Sequence, residues 1–272
     1  MSTAADRRTV RHLPLALVLA MLWAPWVPLV LRAFTDSWRF PAVLPERMTL
    51  RGFRTIAAPD SGVFEGLVLS LEIGIAVSAL ACLVGWPAGR ALGTYQFRGR
   101  RAVQALLLTP VIVPALAAAM GLQILFVRLG LAGSPPGVML VQLIPAVPYA
   151  TSILAAGFAN LDLDYETQAR VLGARGPRRL LAVTIPLMRG PLVAAAVMAF
   201  LISWSDFLLA LLIGAGQVKT LPVQLFAAVT ATDTTVAAAV ALTMVAPALL
   251  VMAAAAGPLA RLSQANLGKG PL

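Results

Sequence analysis

Residues Asn160 to Leu192 read NLDLDYETQARVLGARGPRRLLAVTIPLMRGPL, and the reading of the whole chain turns on this stretch. It is too polar to cross a bilayer, yet it stands between two long apolar runs. Asp162, Asp164 and Glu166 open it, where negative charge suits a helix N-terminus. The run to Leu172 then meets Gly173, a residue type that tolerates a left-handed turn. A second short helix, with Pro177 near its first turn, is expected to run to Ile185 and to stop at Pro186. The stretch therefore reads as a rigid helix-turn-helix on one face of a membrane.

Working outward, the chain has 272 residues, of which 60% are hydrophobic and only 12% charged. An ordinary soluble domain carries about 25% charge. The mean hydropathy is +0.87. A hydrocarbon core about 30 Å thick takes roughly 20 apolar residues of helix to cross. Six stretches qualify: about Leu13 to Phe34, Gly66 to Leu92, Ala102 to Val127, Gly137 to Leu161, Leu187 to Ile213, and Thr235 to Ala260. The expected fold class is all-α, a polytopic single membrane domain over 1–272 with about six transmembrane helices. The charged start (Arg7, Arg8, Arg11) resembles that of a signal peptide, but the apolar run after it has no small-residue exit, so it reads as a retained first crossing.

The net charge of +10 raises the question of nucleic acid, but most arginines lie in short segments between apolar runs, a placement that orients a membrane protein. Arg7, Arg8 and Arg11, then Arg90, Arg98, Arg100 and Arg101, then Arg170, Arg175, Arg178, Arg179 and Arg189, then Arg261 and Lys269 fall on one side. That side is read as cytoplasmic, with both termini on it and no nucleic-acid partner. The spans are punctuated by TPVIVPAL, IPAVPYA and GWPAG, consistent with kinked helices around a pathway or with packing kinks alone.

The 160–192 loop resembles the EAA motif of binding-protein-dependent ABC transporter permeases. There, three residues, usually Glu-Ala-Ala, are followed after three more by Gly and after a further nine by an Ile-x-Leu-Pro-like close. Here Thr167-Gln168-Ala169 is followed by Arg170 to Leu172, Gly173, and after nine residues Val183-Thr184-Ile185-Pro186. Thr167 and Gln168 depart from the motif, and Glu166 stands one position early to supply an acid. The resemblance implies a type I ABC importer permease fold, with a core over about 61–260 and a coupling loop seated on a cytoplasmic ATP-binding subunit. Glu166, Thr167, Ala169, Arg170, Gly173, Ala174, Ile185 and Pro186 are the implied coupling residues. The four arginines Arg170, Arg175, Arg178 and Arg179 would meet acidic groups of that subunit or membrane lipid phosphates.

The same resemblance implies an ABC ATPase dimer, a second permease subunit, homologous or identical, and a periplasmic solute-binding protein as partners. The chain itself would need no cofactor, ATP being bound by the partner, and it would not be an enzyme. Its location would be the cell inner membrane. The stretch FLISWSDFLLALLIGAGQVKTLPVQLF resembles polyamine and sugar permeases. Sugar permeases tend to carry Asp before the motif's Gly, and Leu172 here leans toward the branch for polyamines, thiamine, iron or oxyanions.

Two acids interrupt expected spans, Glu72 and Asp206. A mid-bilayer carboxylate costs roughly 2.5 to 3.5 kcal/mol on insertion scales, so it faces protein or water. Asp206, with Ser203 and Trp204 beside it, and Glu72 are the candidate solute-pathway residues; a structural hydrogen bond is the competing reading. No phosphate-binding loop is present, since Lys219-Thr220 and Lys269 lack its glycine spacing. One histidine, His12, and one cysteine, Cys82, leave neither a two-histidine metal site nor a disulfide within the chain. An ion-coupled secondary transporter would need mirrored halves with intramembrane charge, and a membrane-embedded enzyme would need clustered acids; both patterns are lacking.

Overall fold

The computed structural model describes residues 17–36, 38 and 47–267. Arg7, Arg8, Arg11, His12, Arg39, Lys269 and the first residues of the expected first crossing lie outside the described residues. Among the described residues the chain is helical, with one isolated bridge between Thr35 and Met48. The helices are α1 (Leu17–Ala33), α2 (Arg51–Ala57), α3 (Val63–Thr94), α4 (Arg100–Ile112), α5 (Ala115–Arg128) and α6 (Pro135–Ala159). They continue with α7 (Asp164–Val171), α8 (Gly176–Arg179), α9 (Ile185–Leu187), α10 (Arg189–Ser205), α11 (Leu208–Gly214), α12 (Leu221–Thr230) and α13 (Thr234–Leu267).

The larger of two compact units, Glu65–Val223 with the described residues from Ala246, is organised around α6. This helix starts where Ser134 accepts the Gly137 N–H at 3.2 Å and two prolines occupy its first turn, the positions where a missing N–H costs nothing. Its 25 residues reach about 37 Å at 1.5 Å per residue, enough to span the bilayer. Val138, Val141, Ala146, Ala150, Leu154 and Phe158 recur at helical spacing and are buried.

Two neighbours close on α6 through small residues. On α3, Gly85, Gly89 and Gly93 form a stripe four residues apart that faces Thr151, Leu154 and Phe158. A Cβ on Gly89 would stand 2.8 Å from that of Leu154, and one on Gly93 would strike the Ala155 carbonyl. Gly157 of α6 likewise lies where a Cβ would be 2.5 Å from the Pro191 ring of α10. Such close backbone approach is how helices gain packing where lipid tails are as apolar as the side chains.

The smaller unit holds the described residues up to Phe64 with Gln224–Val245. There α2 is tied to the start of α13: Arg51 donates to both carboxylate oxygens of Asp233, at 2.9 and 3.0 Å, and to Asp36 at 3.1 Å. The Arg51 bond, first among the causes, holds the Asp233 carboxyl below its ordinary value. The pair is exposed enough that water screens most of its worth.

The structure changes the expected spans in two places. The third is broken, because Pro114 pushes Val113 into extended geometry (ψ 132°) and separates α4 from α5. The fifth is bent by 76° where α10 follows α9, and it ends at Ser205; Asp206 is extended (ψ 118°) and the helix restarts as α11. Helix α12 had no counterpart among the six stretches. Among the described residues three helices are long and apolar enough to cross a membrane: α3, α6 and the Thr234–Gly257 part of α13. Counting each bent pair as one span makes five among the described residues, and α1 is shorter.

Candidate functional site

The polar loop after α6 is built from α7 to α9. Asp162 accepts the Asp164 N–H at 2.9 Å, which turns the chain into α7. Helix α7 ends in a Schellman closure: the Gly173 N–H donates to the Arg170 carbonyl at 3.0 Å and the Ala174 N–H to that of Ala169 at 2.9 Å. The closure requires a left-handed residue, and Gly173 has φ +83°. Arg175 is extended, and Pro177 sits in the first turn of α8.

The expected stop at Pro186 is corrected: the helical path passes through it to Leu187 and breaks at Met188. Pro186 cannot donate to a carbonyl in the preceding turn, and Leu180–Thr184, just ahead of it, is wound as a π-turn.

At the centre lies Glu166, the best-buried residue of α7 at 7% exposure. One carboxylate oxygen accepts from the Arg90 guanidinium at 2.6 Å, and the other from the Thr184 hydroxyl at 2.8 Å. The Arg179 Nε stands 3.8 Å away. Arg90 also lies over the ring of Phe158, 5.8 Å from its centroid, and Phe158 meets Trp86 edge to face. One carboxylate thereby joins α7, the end of α8, the π-turn and the end of α3. Burial pushes the Glu166 carboxyl up, but the Thr184 and Arg90 hydrogen bonds, with the charges of Arg90 and Arg179, outweigh it and hold the group below its ordinary value.

Of the residues singled out in the loop, Thr167, Gln168, Arg170 and Pro186 are exposed, and Ala169, Ala174 and Ile185 are half-buried. Sequence reasoning passed over three features. Arg90 read only as an orienting charge, although its partner lies 76 residues on. Thr184 read only as part of the motif's close. Val171 and Leu172, 81% and 87% exposed, form an apolar tip between Arg170 and Arg175; the signal was two apolar residues directly before the turn glycine.

Three of the other candidates, Ser203, Trp204 and Asp206, fall together at the break between α10 and α11. Asp206 accepts from the buried Gln142 side chain at 2.9 Å and from the Leu209 and Ala210 N–H groups at 3.3 and 3.1 Å, so it caps α11. The Ser203 hydroxyl donates to the other end of the Gln142 amide at 2.6 Å. Trp204 is buried and stacked on Phe200. Glu72 is not part of this network and sits on the exposed side of α3. Among the described residues no group of three or more His, Cys, Asp or Glu is placed to hold a metal ion.

We expect Asp206→Asn to act on stability, because its amide would turn a donor toward donors. Hydrogen bonds to a charged group contribute about 1.5 to 3 kcal/mol. Thermal unfolding of the purified protein should fall by several degrees; an unchanged midpoint together with impaired uptake would instead assign the carboxylate to solute contact.

The comparisons with known proteins agree with one another. A family described as binding-protein-dependent transport system inner membrane component matches residues 82–262. The trehalose transport system permease protein SugB of Mycobacterium tuberculosis is 28% identical over 192 residues, 71% of this chain and 70% of its own. The molybdenum transport system permease protein ModB of Mycobacterium bovis is 30% identical over 217 residues, 74% of this chain and 81% of its own. The diacetylchitobiose uptake system permease protein NgcG of Streptomyces coelicolor is 25% identical over 223 residues, 80% of this chain and 74% of its own. In a crystal structure of a bacterial ABC transporter involved in the import of the acidic polysaccharide alginate, one chain superposes with a TM-score of 0.62 at 17% identity. The match covers 93% of this chain and 97% of that one, a likeness of fold.

Proposed function

Because the chain belongs to the family of binding-protein-dependent transport system inner membrane components, and is the permease component of an ABC importer, we propose that its 160–192 loop is the coupling element that receives the ATP-hydrolysing subunit. The observation that carries this is the pairing of an exposed tip with a tethered root. Val171 and Leu172 project from a glycine-closed turn, while Glu166 at the root is bound to Arg90 of α3. A push on the tip has a path to a membrane helix through the Arg90 and Thr184 bonds that hold Glu166. The exposed Arg170, Arg175 and Arg178, close to the tip in the chain, suit an acidic groove on the partner.

The importer would comprise this chain, a second permease subunit (a copy or a homologue), two ATPase subunits and an external solute-binding protein. The loop and both chain termini would face the cytoplasm. The solute is a small molecule handed over by the binding protein. Leu172 before Gly173 favours the branch outside the sugar permeases, and the polyamine reading has no counterpart among the relatives named above.

A single cross-linking experiment tests both coupling and orientation. Cys82, the chain's one cysteine, is buried, so Leu172→Cys offers a single reactive thiol at the tip. In cells expressing the whole importer, a short bifunctional reagent should join it to the ATPase subunit. Gly133→Cys, at the opposite end of α6, should give no such product. Absence of the Leu172→Cys product, or an equal yield at Gly133→Cys, would overturn the proposal.

A further inference from the structure

A cavity of about 380 Å³ opens between α3, α4 and α6. It lies at the loop end of the membrane domain: Leu92 in its wall is two residues past Arg90, which binds Glu166, and Ala159 ends α6 just before the loop. One side is polar, with Arg100, Gln104 and Ser152; the other is made by Leu92, Leu107 and Leu108. The room exists because α6 presents only small side chains there, Ser152, Ala155, Ala156 and Ala159.

Arg100 is the residue that gives the cavity a chemistry. Its Nη1 donates to Gln96 at 2.9 Å, but its Nε is buried and has no hydrogen-bond partner. The guanidinium carries five N–H donors, and an anionic oxygen in the cavity would accept from those that the Gln96 bond and the burial of Nε leave over. Arg98 and Arg101 are exposed beside it. The result is one arginine in the polar side of a cavity with apolar walls, near the end of a helix long and apolar enough to cross a membrane, with two more exposed arginines close by in the chain.

We propose that this cavity binds one anionic phospholipid, with its phosphate on Arg100 and an acyl chain along Leu92, Leu107 and Leu108. A free phosphate would satisfy the guanidinium but leave the apolar walls in water. An uncharged or zwitterionic lipid would cover the walls but bring less net negative charge to the arginines. Basic pockets between membrane helices on the cytoplasmic side are suited to such headgroups. The occupant would set the spacing of α4 from α6 next to the coupling loop.

The test uses the full chain purified in detergent and titrated with phosphatidylglycerol or phosphatidylcholine, with bound lipid counted by native mass spectrometry. One phosphatidylglycerol should be retained with about tenfold preference, and Arg100→Gln should lose that preference. Ala156→Phe, which fills the cavity and keeps the arginine, should lose retention as well, while Arg100→Lys should keep part of it. Millimolar inorganic phosphate should not displace the lipid; displacement would make this a free-anion site and overturn the proposal. Equal retention of the two lipids by the wild type, or undiminished phosphatidylglycerol on Arg100→Gln, would overturn it too. Arg100→Gln decides alone if Ala156→Phe does not fold.

Discussion

Gly173→Pro is expected to reduce solute-stimulated ATP hydrolysis by the assembled importer to its basal level while leaving insertion of the chain into the membrane intact. Two physical reasons act together. Gly173 has φ +83°, and the proline ring holds φ near −65°. Its N–H donates to the Arg170 carbonyl, and proline has no N–H to give. The Schellman closure would be lost, and with it the direction in which Val171 and Leu172 project. Gly173→Ala separates the two reasons, since it keeps the N–H and strains only φ; it should retain partial stimulation. Nothing lies within 4 Å of the position where its Cβ would go, so steric clash is not a factor. Wild-type stoichiometry and stimulation in the proline variant would refute the coupling role of the loop.

Glu166→Ala should be as severe by a different route. It leaves Arg90 and Thr184 without their acceptor in a half-buried site and cuts the link from the loop to α3. Hydrogen bonds to charged groups contribute about 1.5 to 3 kcal/mol, and removing one partner also strands the other. We expect a lower thermal midpoint and ATP hydrolysis that no longer depends on solute. A double-mutant cycle with Arg90→Gln should give a coupling energy of about 1 to 3 kcal/mol; additive losses would show that the pair does not act as a unit. The pH dependence has a definite sign. The folded carboxyl titrates below its ordinary value of 4.5, so the unfolded chain binds more protons in that range. The stabilisation is complete above the ordinary value and is lost as the pH falls through the folded one. Wild-type stability should therefore drop below the ordinary value more steeply than that of Glu166→Gln, measured by thermal unfolding at a series of pH values.

Much of the molecule was legible because it is written in local pattern. Long apolar runs specify membrane helices, since lipid leaves the backbone no partner but itself. The turn of the loop was legible from Gly173, and its entry from Asp162, Asp164 and Glu166, because caps and left-handed turns depend on nearest neighbours in the chain. Where the spans break was less legible. Pro114 does break a helix, yet Pro145, Pro148 and Pro186 are absorbed within helices, and only the surroundings distinguish these outcomes.

What the sequence by itself determined is therefore the all-α class, the membrane setting and the helix-turn-helix with its motif spacing. The tertiary structure alone decided which partners the charges meet. Glu166 stood in the sequence as the acid one position ahead of the motif, and the fold gives it Arg90 from α3 and Thr184 as partners within its own chain. Asp206 stood with two readings, solute contact or structural hydrogen bond, and the fold brings it onto α11 and onto Gln142, 64 residues earlier. The physical reason is common to both. Helix and turn formation are governed by residues a few positions apart, whereas the partner of a buried carboxylate is whichever donor the packing of distant helices brings within 3 Å, roughly the length of a hydrogen bond.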